Sequence, residues 1–330
     1  MKFSLSISIP TYNRAEYLSD TIECFAKQIG DRKDIQIAVA DNCSNDQTDE
    51  LIEALQLKYP YIKYIKNDKN LGADRNYLKA VEISDGEFCW LFGSDDLIDE
   101  GSLEKAIHYI EKSESEIILF NRMNMSPDMT SKRGVQKFFN VDSELELDFS
   151  KIEDYEKYSS LSCDIAAVYS YLSSIIVSKS HWDEVEHDEE LIGGAYIHVN
   201  KILKMMDKGA RFYFSPEPLV LNRMDNDFFA QNGYVKRRLI DVGYVDVIEK
   251  SISSEEKKRP LREIITREFF TISKLLAFKM WTYRYQDHKS FLELYKGHKK
   301  FHQYKFYQLK MMIFKYTPTV VLRLIYKICY

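Results

Sequence analysis

The 330-residue sequence lacks several features that assign a chain to a class at once. Its five cysteines are odd in number and form no CxxC pair, which argues against a disulfide framework and a zinc site and favours a reducing cytoplasm. No run of about 18 apolar residues occurs, so a membrane-spanning helix is not expected. The opening MKFSLSISIP has too short an apolar stretch for a secretory signal and is typical of a strand.

The composition is that of a soluble globular protein. Hydrophobic residues make up 45% and charged residues 29%, which excludes disordered and collagen-like chains. The formal net charge of −5 is unevenly spread, because residues 296–330 contain eight basic and no acidic residues and the preceding part carries −13. An acidic body argues against a protein that coats nucleic acid, whereas a basic tail suits an anionic surface.

The first 120 residues alternate between strand and helix patterns. Apolar residues alternate with serines over residues 3–9, and further strands are predicted at 35–40, 61–65 and 88–92. Between them, apolar residues at helical spacing predict helices at 14–28 and 47–57 and one that ends near residue 83. This alternation predicts an α/β fold with a mainly parallel central sheet and helices on both faces.

Beyond residue 130 the pattern loosens. Strands are predicted at 174–177 and 212–214, with two prolines before the segment LVLNR at 219–223. From residue 234 onward the chain is predicted to be helical. The predicted organisation is therefore a domain over residues 1–228 and a helical C-terminal region over 229–330.

Polar clusters follow three of the predicted strands. They are PTYNR at 10–14, DNCSND at 41–46 and GSDD at 93–96. In an open α/β sheet, ligands bind beyond the carboxyl ends of the strands, so we expect the three clusters to meet along one edge. An ordinary polar turn is the alternative for each cluster taken alone.

The two common phosphate-binding loops are missing. The first strand is followed by PTYNR where a dinucleotide-binding domain has GxGxxG, and neither GKS nor GKT occurs. The phosphates of a nucleotide would then be held in another way, most simply by a metal. Asp95 and Asp96 follow the strand FCWLF and offer the carboxylates that bind Mg²⁺ or Mn²⁺ beside a diphosphate, with a solvated turn or helix cap as the alternative.

Four motifs occur in order along the first hundred residues. They are SIPTYNR at 8–14, VADNCSNDQT at 39–48, NLGADRN at 70–76 and GEFCWLFGSDD at 86–96. Together they resemble the family 2 glycosyltransferases of the GT-A fold, and among these the abequosyltransferase-like enzymes that build bacterial surface polysaccharide. The resemblance is close over residues 3–110 and looser over 111–225. It implies an inverting transfer of a sugar from a nucleotide-sugar donor.

The resemblance also implies roles for single residues. The donor would be bound by eight of them: Pro10, Thr11, Tyr12, Arg14, Asp41, Arg75, Ser94 and Arg223. Asp41 would accept a hydrogen bond from a ring N–H of the base, and Arg223 would meet the diphosphate. Asp95, with Asp96 in support, would contact Mn²⁺ or Mg²⁺, and a metal plus an arginine would stabilise the charge of the leaving nucleoside diphosphate.

Two positions depart from the pattern of this family. The first aspartate of the DxD motif is Gly93 here, and the helix that usually opens with the catalytic carboxylate opens with GGAYIH at 193–198. His198 is the first candidate for the catalytic base, because an imidazole can accept the proton, and Glu190 just upstream is the second. A structural histidine and a solvated acidic run are the alternatives.

The leading functional hypothesis is an inverting glycosyltransferase that serves surface polysaccharide synthesis, with a glycan or a lipid-linked oligosaccharide as acceptor. A non-catalytic GT-A scaffold that binds nucleotide or glycan at a membrane is the alternative, motivated by Gly93 and the missing carboxylate. A nucleotidyltransferase is a weaker third hypothesis, since its glycine-rich phosphate loop is absent.

The basic tail predicts peripheral attachment to the cytoplasmic face of the membrane. Five lysines lie among aromatic and apolar residues over 299–315, and Thr317-Pro318 predicts the start of a last helix with Arg323 and Lys327 on one face. Thirteen residues reach roughly 20 Å, too little to cross a hydrocarbon core of about 30 Å, so the helix is expected to lie in an anionic interface. Packing on the catalytic domain, or on a second subunit of a homodimer, is the alternative.

Overall fold

One sheet runs through the first two thirds of the chain. The computed structural model describes residues 3–226, 234–284, 288–302, 304, 306–318 and 320–321. Within these residues the sheet contains ten strands: β1 (Phe3–Thr11), β2 (Ile35–Asp41), β3 (Ile62–Lys66), β4 (Gly86–Leu91), β5 (Leu97–Ile98), β6 (Ile117–Met125), β7 (Lys132–Gln136), β8 (Leu145–Asp148), β9 (Ile175–Ser178) and β10 (Arg211–Arg223).

Helices connect the strands and make up the C-terminal region. The described residues contain thirteen α-helices: α1 (Ala15–Ile29), α2 (Thr48–Lys58), α3 (Ala73–Glu82), α4 (Ser102–Ser113), α5 (Ile152–Leu161), α6 (Lys179–Asp183), α7 (Ile197–Asp207), α8 (Tyr234–Val242), α9 (Tyr244–Ser251), α10 (Glu255–Phe269), α11 (Ile272–Arg284), α12 (His288–Gly297) and α13 (Tyr307–Tyr316). Short 3₁₀ turns lie at Ile165–Val168, Leu172–Ser174, Glu189–Leu191 and His298–Phe301.

The strand order is β3-β2-β1-β4-β9-β6-β10-β5, with β7 added beside β6 and β8 beside β10. The first four strands of this order pair in parallel, and so do β6 and β10. The predicted α/β class, with its parallel central sheet and C-terminal helices, is confirmed. β9 is antiparallel to both β4 and β6, a direction that its short apolar sequence does not reveal.

β1 shows why its sequence alternates between apolar residues and serines. Leu5, Ile7 and Ile9 point into one apolar core. On the other face Ser6 donates to Gln36 Oε1 at 2.8 Å, and Ser8 lies 2.8 Å from Ser84 Oγ. Both serines are buried, so these bonds satisfy hydroxyls that would otherwise destabilise the sheet. Both faces of β1 are therefore covered, as expected for a central parallel strand.

The strand predicted at 212–214 is longer than expected, because it continues through the segment at 219–223. β10 continues through Pro216 and Pro218, and its register against β6 shifts between Ser215 and Val220. Proline cannot donate to a β ladder, so an irregularity is the form in which a strand accommodates two of them. The continuation brings Arg223 to the carboxyl edge of the sheet.

The C-terminal helices share an apolar core with the sheet. That core extends along the chain from Val81 to Phe314 and includes Phe139 and Tyr158. The predicted boundary near residue 228 falls in 227–233, outside the described residues. The division into a 1–228 domain and a 229–330 region stays a prediction, and the shared core ties the two parts together by packing.

α13 is packed on one side and exposed on the other. Met311 and Phe314 are buried in the core, and α13 packs against α11 and α12 of the C-terminal region. Most of the last helix predicted from residue 318, including Arg323 and Lys327, lies outside the described residues. None of the helices that the structure describes is long and apolar enough to cross a membrane.

Candidate active site

The three polar clusters meet at the carboxyl ends of β1, β2 and β4, as predicted. The Asn13 N–H donates to Ser44 Oγ at 2.8 Å, and the Asn45 N–H donates to Asn13 Oδ1 at 2.9 Å. Asn13 has a φ of 52°, a left-handed conformation that asparagine tolerates better than most residues. Arg14 Nη1 lies 2.7 Å from Asp95 Oδ2, which joins the first cluster to the third.

Asp46 fixes the start of two helices. Its Oδ2 accepts the Ala15 N–H at 3.0 Å, and its Oδ1 accepts the Thr48 N–H at 3.2 Å. The carboxylate thus lies at the positive ends of α1 and α2, where backbone N–H groups have no partner within their own helix. This is the helix-capping role that the composition of residues 41–46 predicts.

Asp41, the predicted acceptor for the nucleobase, is fully buried at the end of β2. Its Oδ1 accepts from the Ser44 N–H at 3.0 Å and from Ser44 Oγ at 2.5 Å, and its Oδ2 accepts from Tyr64 Oη at 3.0 Å. A carboxylate offers about four acceptor positions, so these three bonds leave capacity at Oδ2. Asp41 has no exposed surface here, so Oδ2 must become accessible before it can accept a ring N–H.

An amide network that sequence reasoning missed holds the first two strand ends together. Asn76 Nδ2 donates to the carbonyl oxygens of Thr11 at 3.2 Å and Ala40 at 2.9 Å. Asn67 Nδ2 in turn donates to Asn76 Oδ1 at 3.0 Å, and the Leu71 N–H donates to Asn42 Oδ1 at 2.8 Å. The asparagines of the second and third motifs are the feature of the sequence from which this network could have been predicted.

Asp96 is buried, and its carboxylate accepts three hydrogen bonds from two segments. Tyr171 Oη donates to its Oδ2 at 2.7 Å and Ser173 Oγ at 2.5 Å, while the Arg223 N–H donates to its Oδ1 at 3.2 Å. Burial and the neighbouring Asp95 raise the pKa of this carboxyl above its ordinary value. Asp96 therefore positions the loop around it. Nothing in the sequence singles out Tyr171 or Ser173.

Asp95 offers its carboxylate to the open edge of the sheet. Its Oδ2 pairs with Arg14 and accepts from Asn226 Nδ2 at 2.7 Å. Within the described part of the chain, no group of three or more His, Cys, Asp and Glu side chains is placed to hold a metal. Mg²⁺ and Mn²⁺ are commonly held by one or two carboxylates together with substrate phosphates, and Asp95 fits a cation held in that way.

Gly93 leaves the space in which the two aspartates sit. A Cβ at this position would lie 3.1 Å from Asp96 Oδ2, 3.2 Å from Asp95 Oδ1 and 3.2 Å from Ser173 Oγ. These separations are tighter than ordinary carbon contacts, so a larger residue would displace one of the carboxylates. The glycine that replaces the first aspartate of the DxD pattern therefore allows the close packing around Asp96.

Arg223 is bound to the main chain of the site. Its Nε donates to the Asp95 carbonyl at 3.0 Å and its Nη1 to the Pro127 carbonyl at 2.7 Å, and its guanidinium lies 4.8 Å from the ring centre of Tyr17. Its side chain is 8% exposed. Here Arg223 shapes the loop that carries Asp95 and adds positive charge beneath it.

The other predicted donor residues line this edge in different ways. Thr11 is buried, and its Oγ1 has no hydrogen-bond partner within the described residues. Ser94 is also buried, whereas Tyr12 is exposed. Arg75 is exposed and engaged with Glu189, which its Nη2 meets at 2.6 Å.

Asp74 is another residue whose role the sequence did not predict. Its Oδ2 accepts the N–H groups of Gly193 at 2.6 Å and Ala195 at 3.0 Å, and its Oδ1 accepts the Ile197 N–H at 3.2 Å. Gly193 and Ala195 both have positive φ, so successive N–H groups converge on one anion. A carboxylate thus does lie where α7 opens, but α3 supplies it.

His198, the first candidate base, lies in the first turn of α7 and is buried. Its Nε2 is 3.0 Å from the Tyr169 carbonyl oxygen, so Nε2 carries the proton and Nδ1 has the lone pair. Nδ1 has no hydrogen-bond partner among the described residues. His198 is one of the residues that line a cavity of about 10 Å³, together with Pro10, Tyr77 and Trp182 among others.

Glu190, the second candidate, is in the opposite situation. Its side chain is 79% exposed and pairs with Lys250. Glu190 is therefore accessible to solvent, whereas His198 is buried and has an unshared lone pair on Nδ1. Each remains a prediction for the catalytic role.

The burial of His198 predicts a pH dependence of stability. Burial lowers its pKa from 6.5 to about 4, so the unfolded chain binds more protons between these values. The stabilisation is complete above pH 6.5 and is lost as the pH falls towards 4, by up to roughly 3 kcal/mol. Urea unfolding between pH 4.5 and 7.5 should show a steeper loss in the wild type than in His198→Gln.

His302→Gln is the matched control, because His302 is exposed. It should leave the slope of stability against pH unchanged. Equal slopes for the wild type and His198→Gln would contradict the burial of a neutral imidazole.

Comparisons with known proteins agree with this geometry. Glycosyl transferase family 2 matches residues 6–176. The chain is 36% identical over 272 residues to abequosyltransferase RfbV of Salmonella typhimurium, covering 80% of each. It is 24% identical over 277 residues to the poly(ribitol-phosphate) β-N-acetylglucosaminyltransferase TarS of Staphylococcus aureus, covering 82% of this chain and 44% of TarS.

Solved structures show the same fold. The crystal structure of S. aureus TarS 1–349 in complex with UDP-GlcNAc has a TM-score of 0.64 at 19% identity, covering 98% of this chain and 92% of that one. The mannosyltransferase PcManGT from Pyrobaculum calidifontis, in complex with GDP-Man and Mn²⁺, has a TM-score of 0.58 at 13% identity, covering 98% and 87%. The chain has the GT-A fold, belongs to glycosyl transferase family 2 and is a glycosyltransferase.

Proposed function

We propose that the protein transfers a sugar, with inversion, from a nucleotide-sugar donor to a glycan acceptor in surface polysaccharide assembly. The observation that carries this proposal is the Arg14–Asp95 pair at the carboxyl edge, 2.7 Å between Nη1 and Oδ2. A cation and a carboxylate at this position suit a diphosphate and its divalent counterion. The similarity to an abequosyltransferase, and the UDP-GlcNAc and GDP-Man held by structural neighbours, support a nucleotide-sugar donor.

The donor would lie along the ends of β1, β2 and β4. Asp41 would accept the ring N–H of the base through the capacity left at Oδ2, with Pro10, Thr11 and Tyr12 beside the base and ribose. Asp95 would hold Mn²⁺ or Mg²⁺, which when bound neutralises charge on the diphosphate. Arg14 would then turn its guanidinium from Asp95 to a phosphate oxygen, so the site keeps its charge balance during binding and bond breaking.

The transfer would be a single in-line displacement. An acceptor hydroxyl attacks the anomeric carbon, the bond to the nucleoside diphosphate breaks, and the hydroxyl proton passes to a base. We assign the base to His198, whose Nδ1 has the lone pair and no hydrogen-bond partner among the described residues, and which lines a cavity of about 10 Å³. A water entering that cavity with the acceptor would carry the proton to Nδ1, a route compatible with general base catalysis.

The metal assignment predicts a loss of binding in Asp95→Asn. We expect one of UDP, GDP, CDP and dTDP to raise the melting temperature of the wild type in the presence of Mn²⁺, since a ligand of the folded state stabilises it by mass action. Asp95→Asn should weaken the Mn²⁺-dependent binding of this nucleotide about tenfold or more, because the substitution removes a charged ligand of the cation. Asp142→Asn, at an exposed aspartate paired with Lys137, is the matched control.

Two outcomes of this screen would contradict the proposal. An unchanged Mn²⁺-dependent shift in Asp95→Asn would exclude this residue as the metal ligand. The absence of stabilisation by all four nucleotides would contradict the nucleotide-sugar donor itself.

The base assignment predicts a separation of kcat from donor affinity. His198→Gln should lower kcat for sugar transfer about 100-fold, the low end for general base catalysis, because its lowered pKa keeps the ring neutral but makes it a weak base. The Kd for the nucleoside diphosphate should not change. A loss of kcat in Glu190→Gln, with His198→Gln close to wild type, would transfer the role to Glu190.

We further propose that the protein works at the cytoplasmic face of a membrane on a lipid-linked acceptor. Three apolar side chains of α13 are more than half exposed and recur at helical spacing: Leu309, Met312 and Tyr316. Lys315 lies beside Tyr316, 4.9 Å from its ring centre. Apolar residues flanked by lysines suit a helix that lies in an anionic interface.

This surface predicts binding to anionic vesicles. Full-length protein should float with phosphatidylglycerol-containing vesicles, less so with pure phosphatidylcholine, and less at high salt. The double variant Leu309→Glu, Met312→Glu should lose most of this flotation. Leu57→Glu, which also replaces an exposed apolar residue, should float as the wild type does. Equal flotation of the double variant and the wild type would contradict attachment through α13.

A further inference from the structure

Beyond Asp96, the sheet carries polar side chains that the proposed donor site does not use. Four of them, called the polar patch here, are Arg122, Asn124, Gln136 and Asn222. Arg122 lies opposite Gln136 in the β6–β7 pair, and Asn124 lies opposite Asn222 in the β6–β10 pair. All four are half-buried. The pairing places them on one face of three adjacent strands.

Hydrogen bonds hold the polar patch in a fixed arrangement. Arg122 Nη2 donates to Gln136 Oε1 at 2.9 Å, and Asn222 Nδ2 donates to Asn124 Oδ1 at 2.9 Å. Gln136 Nε2 donates to Asp164 Oδ2 at 2.5 Å. Amide and guanidinium groups fixed in this way can meet hydroxyl and anionic oxygens without first being ordered.

The patch adjoins the two aspartates through one side chain. The guanidinium carbon of Arg122 lies 4.0 Å from the ring centre of Tyr171, a stacked cation–π contact. Tyr171 Oη donates to Asp96 Oδ2 at 2.7 Å. Arg122 is therefore connected to Asp96 through the side chain of Tyr171.

No ion pair within the described residues neutralises the charge of Arg122. No carboxylate of the described residues lies within ion-pair distance of its guanidinium, and Asp164 reaches it only through Gln136. Its Nε is buried without a hydrogen-bond partner among those residues. A half-buried cation is stabilised by an anion, and a guanidinium offers paired donors that match phosphate or carboxylate oxygens.

We infer that the polar patch is an acceptor subsite for an anionic sugar unit, with Arg122 on its phosphate or carboxylate group and the amides on its hydroxyls. This inference rests on the proposed function. The donor diphosphate is assigned to Arg14 and Asp95, so a second anion next to the reacting centre belongs to the acceptor. Its charge comes either from a phosphate, as in a sugar linked to a lipid carrier, or from a uronic acid.

Small probes test the subsite directly. Saturation-transfer NMR titrations would use galactose 1-phosphate, glucuronic acid and methyl β-galactoside. They would be made with Mn²⁺ and whichever of the four nucleoside diphosphates stabilises the protein, so that the donor site is filled. We expect one of the two anionic probes to bind the wild type more tightly than the neutral glycoside. That probe identifies the source of the charge.

Arg122→Gln should weaken the bound anionic probe about tenfold and leave methyl β-galactoside unchanged, since a charged hydrogen bond is lost and hydroxyl contacts remain. Arg122→Lys keeps the charge without the planar pair of donors, so its affinity for the anionic probe should lie between those of the wild type and Arg122→Gln. Arg133→Gln is the matched control, because this exposed arginine of the same hairpin pairs with Asp225. It should bind every probe as the wild type does.

Three outcomes would overturn the inference. The first is that Arg122→Gln and the wild type bind both anionic probes with equal affinity. The second is that the wild type binds the neutral glycoside more tightly than either anionic probe. The third is that Arg122→Gln binds the nucleoside diphosphate more weakly than the wild type does. The last would place Arg122 in the donor site. If no nucleoside diphosphate binds, the proposed function fails, and the same titrations without nucleotide still decide whether Arg122 selects an anion.

Discussion

The site depends on one buried aspartate, Asp96, whose carboxylate and backbone carbonyl together accept hydrogen bonds from three separate segments. Its carboxylate accepts hydrogen bonds from Tyr171 and Ser173, which lie in the turn before β9, and from the backbone N–H of Arg223 at the end of β10. Its own carbonyl accepts from Thr21 of α1 at 2.8 Å. A buried carboxylate without these donors would be strongly destabilising, so its hydrogen bonds bring together parts of the chain far apart in sequence.

This arrangement assigns different tasks to two adjacent aspartates. Asp96 uses its oxygens to hold the fold, whereas Asp95 turns towards the open edge and is partly solvated, at 16% exposure. Gly93 makes the arrangement possible by leaving room for both carboxylates. In the structure the carboxylate of Asp95 meets Arg14 and Asn226. Under the proposed function, a divalent cation and the donor phosphates would replace these two partners.

Local patterns were enough to predict the first half of the fold. Apolar periodicity located β1 to β4 and α1 to α3 within a few residues, and the strand-end rule brought the clusters at Asn13, Ser44 and Asp95 together. The direction of β9 and the continuity of β10 were not predictable in this way. Both follow from long-range pairing, which a short apolar segment does not specify.

The same limit applies to the site. Asp95 could be found because it ends a buried strand inside a recognisable motif. Tyr171 and Arg122 lie in segments without such a pattern, and Asp74 lies in the third motif but finds its partners in Gly193, Ala195 and Ile197, so these contacts join positions far apart in the sequence. The environment of His198 was equally hidden, since helical spacing shows where a side chain points but not how small a cavity it faces.

The carboxylate of Asp74 has a consequence for the order in which the protein folds. The N–H groups at the start of α7 find their acceptor 119 to 123 residues earlier in the chain, on α3. A loop of that length must close before this end of α7 gains its partner, and such non-local contacts form late and slowly. The opening turn of α7 is therefore completed only when α3 and the segment at 193–197 have come together.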